Sequence, residues 1–288
     1  MEIHQLRYAL AVVDEGTFTA AAAACFVAQP SLSHAVHTLE RELGVDLFQR
    51  VGRRPRLTSA GEAFVPAARE VLRALHTVRA EVDAVAGIVA GHLDLVTLPT
   101  LAVDPVTPLV GAFRTAHPDV TVRLAHPESV AALVESVRSG ESEVGITELP
   151  VDAARLRAVP LGRQELVAIL PPGTDAPQRI SVSALGRHSL VTLPAGTSTR
   201  NMLDVAFESA GTHPTIAVET DQREAVMPLV LAGAGAAVVP APMAELARLL
   251  GAVVAHLRPA LWRELGLVHR DATLSPAARA FIAIARPR

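Results

Sequence analysis

Lysine is absent from the 288 residues, and all 26 basic positions are arginine. A GC-rich coding sequence accounts for this without any appeal to chemistry. Cysteine is almost absent too: Cys25 stands alone, which excludes an internal disulfide and makes a cysteine-based zinc site untenable. Aromatic residues make up 3%, so the core must be assembled from Ala, Val and Leu. No stretch reaches the roughly 18 uninterrupted apolar residues of a spanning helix. The first ten residues, MEIHQLRYAL, place a Glu early and no cationic run ahead of an apolar one, so they do not read as a secretory signal. A cytoplasmic protein is expected. Positive charge is in short supply as well. The formal net charge is −3, whereas nucleic-acid binders usually carry a basic footprint. With half the residues apolar and 19% charged, the chain is not disordered, and its length is sufficient for one large or two medium domains.

What is present is local pattern. Leu6, Ala9, Leu10 and Val13 recur at helical spacing and form one face of a first helix. Gly16 and Thr17 break it, and Thr17 is placed to cap the Ala-rich run from Phe18 to Phe26. After a short turn, Pro30 opens a third helix that buries Leu32, Ala35, Val36, Leu39 and Leu43 and ends at Gly44. Its other face shows Ser33, His34, His37 and Arg41. Two short helices joined by a tight turn, the second presenting polar groups outward, fit a helix-turn-helix.

Arg50, Arg53, Arg54 and Arg56 follow within seven residues, and no acid intervenes between Asp46 and Glu62. Gly52 and Pro55 interrupt helix here, so a two-stranded wing is expected. Alone such a cluster would read as a solvated loop; beside a helix-turn-helix it reads as a phosphate contact. A long helix starts at Ser59, with Ser59 and Glu62 spaced as a capping box. Phe64, Ala68, Val71, Leu75, Val78, Val82, Val85 and Val89 alternate steps of four and three, the seam of a coiled coil. Pro66 should kink its first turns. A paired helix would make the protein a dimer.

From residue 92 onward, strand and helix signals alternate: His92 to Thr97, Val120 to Leu124, Glu143 to Thr147, Leu166 to Leu170, Ala236 to Val239 and Leu265 to His269 read as strands. Helices fall between them, at Val130 to Ser139, Thr199 to Ala210 and Pro276 to Ala285 among others. The pattern indicates α/β units with a largely parallel sheet.

The segments Gly16-Thr-Phe-Thr-Ala-Ala, Val27-Ala-Gln-Pro-Ser-Leu-Ser33, Leu39-Glu-Arg-Glu-Leu-Gly44, Leu47-Phe48 with Arg50, and Leu57-Thr-Ser-Ala-Gly61 closely resemble the DNA-binding region of LysR-type transcriptional regulators. Two later phrases, Phe113 to Val120 and Leu231 to Pro240, resemble that family's effector domain, so the likeness covers essentially the whole chain. It implies a winged helix-turn-helix over 1–58, a dimerising linker helix over 59–91, and a two-lobed α/β effector domain over 92–288 resembling periplasmic binding proteins. Lobe I would comprise 92–161 and 266–288, and lobe II 162–265. Tetramers built from two dimers, a dyad-like promoter site and a small effector between the lobes are further implications of the family.

On this footing the DNA contacts are expected from Thr19, Gln29, Pro30, Ser31, Ser33, His34 and His37, with charge from Arg50, Arg53, Arg54 and Arg56. The two histidines stand where the family often has Arg or Lys, and a neutral imidazole releases no counterion. Effector contacts are expected from Thr100, Thr147, Thr197, Ser198 and Thr199, with Thr220 behind them. Convergent hydroxyls at the start of a helix suit a small anion such as a carboxylate. Peroxide-sensing members carry a reactive Cys where this chain has Ser198, so thiol sensing is not expected. No cofactor and no metal are expected. Two other readings stand beside this one. A two-lobed solute-binding protein would leave the first 90 residues unexplained. An enzyme finds no support, because Gly233-Ala-Gly235 lacks a third glycine and no G-x-S-x-G, H-E-x-x-H or P-loop occurs.

Overall fold

Gly16 adopts a left-handed φ of +71°, which ends α1 (Ile3–Glu15) and turns the chain into α2 (Phe18–Ala24). Thr17 caps α2, its Oγ1 accepting from the Ala20 N–H at 3.1 Å. The computed structural model describes residues 1–51, 54–85, 89–127, 129–151 and 156–286. Helix α2 stops two residues before the expected Phe26, which has a φ of +56° and is 96% exposed. Helix α3 (Gln29–Leu43) begins one residue earlier than Pro30, which occupies its second position. Leu32, Val36 and Leu39 are fully buried against Leu6, Ala9 and Leu10, as their spacing requires. Leu43 is not buried but 40% exposed, because it lies in the last turn, beyond the reach of α1 and α2.

Strands β1 (Phe48–Val51) and β2 (Arg54–Leu57) pair antiparallel as the wing. Helix α4 (Ser59–Val85) follows. Its cap is Thr58 rather than a Ser59 box: the Thr58 Oγ1 accepts from Gly61 N–H at 3.1 Å. Of the expected seam, Ala68 is buried beneath the first three helices, whereas Val71, Leu75, Val78 and Val82 remain exposed as a stripe. Of the last two seam positions, the Val85 side chain lies outside the described set, and Val89 packs against the core of the following domain instead.

The rest of the chain comprises β3 (Gly91–Thr97), α5 (Thr107–Ala116), β4 (Val120–Ala125), α6 (Val130–Ser139), β5 (Val144–Leu149) and β6 (Leu156–Leu170), then β7 (Arg179–Ser181), α7 (Val182–Leu185), β8 (Leu190–Thr192), α8 (Ser198–Ser209), β9 (Ile216–Glu219) and α9 (Arg223–Leu231), and finally β10 (Ala237–Pro240), α10 (Ala241–Leu249), β11 (Val253–Arg270) and α11 (Pro276–Ala285). The sheet is mixed, not largely parallel. Its order is β10-β6-β11-β5-β3-β4, with β7 added beside β11; β3 runs parallel to β4 and β5, and β7 to β11, whereas β11 is antiparallel to both β5 and β6 and β10 is antiparallel to β6. The reason is that β6 and β11 are long strands, only the apolar ends of which announce themselves in sequence. Their polar middles, around Gln164 and Arg263, carry the chain across from one hydrophobic cluster to the other.

One cluster gathers Leu93, Leu95, Phe113, Leu133, Ile146, Leu267 and Phe281. On the other side of the crossing, two clusters gather Leu166, Leu203 and Phe207, and Ile169, Val230 and Ala247. Helix α9 carries no clean amphipathic signature in sequence, since it is largely apolar and interrupted by Pro228, whereas in α10 Pro242 stands in the first turn, where proline is tolerated. No helix among the described residues is long and apolar enough to cross a membrane.

Candidate DNA interface and effector chamber

The outward face of α3 is built by the burial of its inward one. With Leu32, Ala35, Val36 and Leu39 turned to the core, Gln29, Pro30, Ser31, His34 and His37 are exposed and Ser33 is half-buried. Thr19, near the start of α2, is exposed as well. His37 is not simply a solvated imidazole: its Nδ1 lies 2.9 Å from Glu40 Oε2. The other oxygen of Glu40, itself buried, accepts the N–H groups of Leu47 at 2.9 Å and Phe48 at 3.1 Å. A carboxylate on the recognition helix thus holds the first residues of the wing. Glu40 escaped sequence reasoning because a helical Glu ordinarily faces solvent; its distance of seven residues from Leu47 carries no motif. Arg56 is exposed on β2. Arg50 and Arg54 lie on the two wing strands, their side chains outside the described set, and Arg53 lies outside the described residues altogether.

Between the two sets of clusters lies a chamber of about 440 Å³. Pro99, Thr100, Ala102, Val103 and His126 form its wall on the β3 side. Val191, Thr192, Leu193, Thr199, Leu203, Val226, Val239, Pro240 and Met243 form the opposite wall, with Arg200, Arg223 and Glu224. Of the expected effector residues, Thr100 and Thr199 are on this lining. Thr147 is fully buried near the end of β5, and the hydroxyls of Thr100 and Thr147 are both shut from solvent without a hydrogen-bond partner among the described residues. Such orphaned hydroxyls carry a desolvation cost unless something else satisfies them.

Thr197, Ser198 and Thr220 do not line the chamber. The Thr197 hydroxyl donates to Pro194 O at 2.9 Å, and Thr220 Oγ1 accepts from Gln222 N–H at 3.1 Å. Both serve local turns. Ser198 donates to Glu148 Oε1, a contact from α8 across to β5. Glu148 also accepts from Arg263 Nη1 at 2.9 Å. That guanidinium is 1% exposed and further donates to Gln164 Oε1 at 2.6 Å and Thr100 O at 3.1 Å. Burial pulls the Arg263 pKa below its ordinary value, and the charge and hydrogen bond of Glu148 oppose that pull. Gln164 in turn donates to Asp104 O at 2.9 Å and to the Asp104 carboxylate. None of Glu148, Gln164 and Arg263 was expected from sequence: Gln164 and Arg263 meet because they are cross-strand partners on β6 and β11, a register no local pattern reveals.

Comparison with known proteins fits this geometry. Residues 3–62 match the family model for the bacterial regulatory helix-turn-helix protein of the lysR family, and residues 86–288 match the LysR substrate binding domain. The chain is 31% identical to the HTH-type transcriptional regulator CysB of Haemophilus influenzae over 244 residues, covering 83% of this chain and 75% of that one. It is 29% identical to the regulator TfdS of Cupriavidus pinatubonensis over 292 residues, 99% of this chain and 98% of that one. Among solved structures, a full-length OxyR variant from Pseudomonas aeruginosa superposes with a TM-score of 0.77 at 25% identity, covering 99% of this chain and 93% of the other. Full-length CbnR in complex with its target DNA gives 0.68 at 25% identity, with 99% of both chains covered. These relatives are regulators, not enzymes. The chain therefore belongs to the LysR family of bacterial DNA-binding transcriptional regulators, with an N-terminal helix-turn-helix and a two-lobed effector domain.

Proposed function

We propose that this regulator binds a dyad-like promoter site as a homodimer, and that a small anion, a carboxylate, bound in the interlobe chamber modulates the complex. The observation that carries the effector reading is the chamber itself, with the unsatisfied hydroxyl of Thr100 on its wall and that of Thr147 buried on the neighbouring strand. Thr199 joins them; Thr197, Ser198 and Thr220 gain no support from geometry as ligand contacts. Dimerisation through residues 59–91 is supported by the exposed apolar stripe of Val71, Leu75, Val78 and Val82. Two such dimers would form a tetramer. The domain limits of 1–58, 59–91 and 92–288, with the lobes divided at 161/162 and 265/266, complete the proposal, as does a place in the cytoplasm beside the DNA.

On the DNA, α3 enters the major groove through Gln29, Pro30, Ser31, Ser33 and His34, with Thr19 on the backbone. His37 orients Glu40, while Arg50, Arg53, Arg54 and Arg56 reach phosphates. The near-neutral total charge is compatible with this because the cations are concentrated in the wing and doubled by dimerisation. Anisotropy titrations of a promoter fragment against salt test it. Arg53→Ala, Arg54→Ala and Arg56→Ala should each flatten the slope of log K against log salt by about one unit and weaken all sequences alike. Unchanged slopes would remove the wing from the interface.

A further inference from the structure

We infer that the effector is an apolar monocarboxylic acid, aromatic or branched, and that its carboxylate is read by Arg223 rather than by the start of α8. This rests on the reading of the interlobe chamber as the effector site.

The start of α8 already has an anion. Ser198, the first residue of that helix, donates to Glu148 Oε1, and Glu148 is itself held by Arg263. A second carboxylate at that point would meet the negative charge of the first. The remaining cations divide sharply. Arg263 is engaged by Glu148, Gln164 and the Thr100 carbonyl. Arg200 is engaged by Asp204 at 2.9 Å, Glu219 at 3.0 Å and the Leu193 carbonyl at 3.1 Å, and the hydrogen bond to Asp204 holds its pKa above the usual value. Arg223 lines the same chamber and has neither hydrogen bond nor ion pair among the described residues, and its Nε is shut from solvent without a partner.

Its position makes the lack of a partner more telling. Arg223 is the first residue of α9, where the positive end of the helix dipole opposes a cation. The neighbouring Glu224 lines the chamber but is exposed and makes no ion pair with it among the described residues. An incoming carboxylate would meet the Arg223 guanidinium on the chamber wall, and a guanidinium fork matches its two oxygens.

The body of the ligand is set by the rest of the wall. Val191, Leu203, Val226, Val239 and Met243 face Val103 across the chamber, so a hydrated inorganic anion would be desolvated without return, whereas a ring or branched chain would be buried.

The test uses the full chain, calorimetric titration and thermal shift, with benzoate, 4-methylpentanoate, benzamide and sulfate as probes at constant ionic strength. Both acids should bind and raise Tm, with benzamide about tenfold weaker than benzoate, as loss of one charge-assisted contact implies. Arg223→Gln should bring benzoate down to the benzamide level, leave benzamide unchanged and keep the unliganded Tm; Arg223→Met provides a second variant should the first unfold. Ser198→Ala should leave acid binding intact. Acids binding Arg223→Gln as they bind the unaltered chain would overturn the assignment. So would sulfate binding that Ser198→Ala abolishes, which returns the anion to α8 and preserves the anionic-effector reading. If neither acids nor sulfate bind while promoter binding persists, both the assignment and the anionic-effector reading fall.

Discussion

Glu40 on the recognition helix accepts the backbone N–H of Leu47 at 2.9 Å, a bond that ties the helix to the start of the wing. The same oxygen takes Phe48 N–H, and the second oxygen meets His37. Replacing Glu40 by Ala leaves two backbone donors of the wing without their acceptor and costs about 2 kcal/mol, since hydrogen bonds to a charged group are worth roughly 1.5–3. Urea unfolding of the N-terminal domain reads that loss. Promoter affinity should fall with it while effector binding is unchanged; equal loss in both would show that the bond is not local to the DNA-binding domain.

The stripe on α4 should behave as an interface. Leu75→Arg places a charge in the middle of four exposed apolar positions, Val71, Leu75, Val78 and Val82. Sedimentation should then give a monomer, and promoter affinity should drop steeply because a single half-site is bound. An unchanged sedimentation profile would assign the stripe to something other than self-association.

Helix α4 also meets the effector domain at one tight point. Gly140 ends α6 at a φ of +76°, and the Arg73 guanidinium lies where a side-chain carbon of residue 140 would stand. Burial, then the nearby Arg270, pulls the Arg73 pKa down to about 10, so it remains a cation at neutral pH beside the negative end of α6. Arg69 strengthens the junction, binding Asp14 of α1 at 2.5 Å and reaching Ser139 at 3.4 Å. Gly140→Ala should cost about 1 kcal/mol for the left-handed backbone alone. It should also expel Arg73, seen as faster hydrogen exchange in the middle of α4. In Arg73→Ala the second effect disappears and only the backbone cost remains, a double-mutant cycle with a definite sign.

Glu148→Ala strands the Arg263 charge inside the crossing of β6 and β11. Removing one partner of a buried pair costs about 3 kcal/mol or more, and the effector domain should lose that much in denaturant unfolding. Glu148→Ala with Arg263→Met should recover part of it. No recovery would mean that Gln164 and Thr100, not Glu148, hold the guanidinium in place.

Much of this protein is legible in its sequence. The helix-turn-helix follows from 3.6-residue periodicity, the left-handed stops at Gly16 and Gly44 and the Thr17 cap, all interactions within a few residues of chain. Helix α4 was legible for the same reason, although Ala68 turns into the N-terminal core and Val89 packs on the next domain. Strands β3, β4 and β5 were legible because each is short and rich in alternating or β-branched apolar residues. The capping hydroxyl one residue away, at Thr58, and the early end of α2 show how small the errors of local rules are where local forces decide.

Tertiary structure decided the rest. The direction of β6 and β11 depends on strand partners about 100 residues apart, so the mixed sheet could not be read from alternating strand and helix signals. The same long-range register brings Gln164 to Arg263, and folding of the lobes brings Glu148 to Ser198. A hydroxyl at a helix start looks like a ligand site in sequence; whether it faces a chamber or a carboxylate of its own chain is settled only when the lobes close. The sequence by itself determined the elements and the family. Packing across the lobes decided which of its polar groups were spent on holding the fold and which, like the Thr100 hydroxyl and Arg223 Nε, have no partner among the described residues.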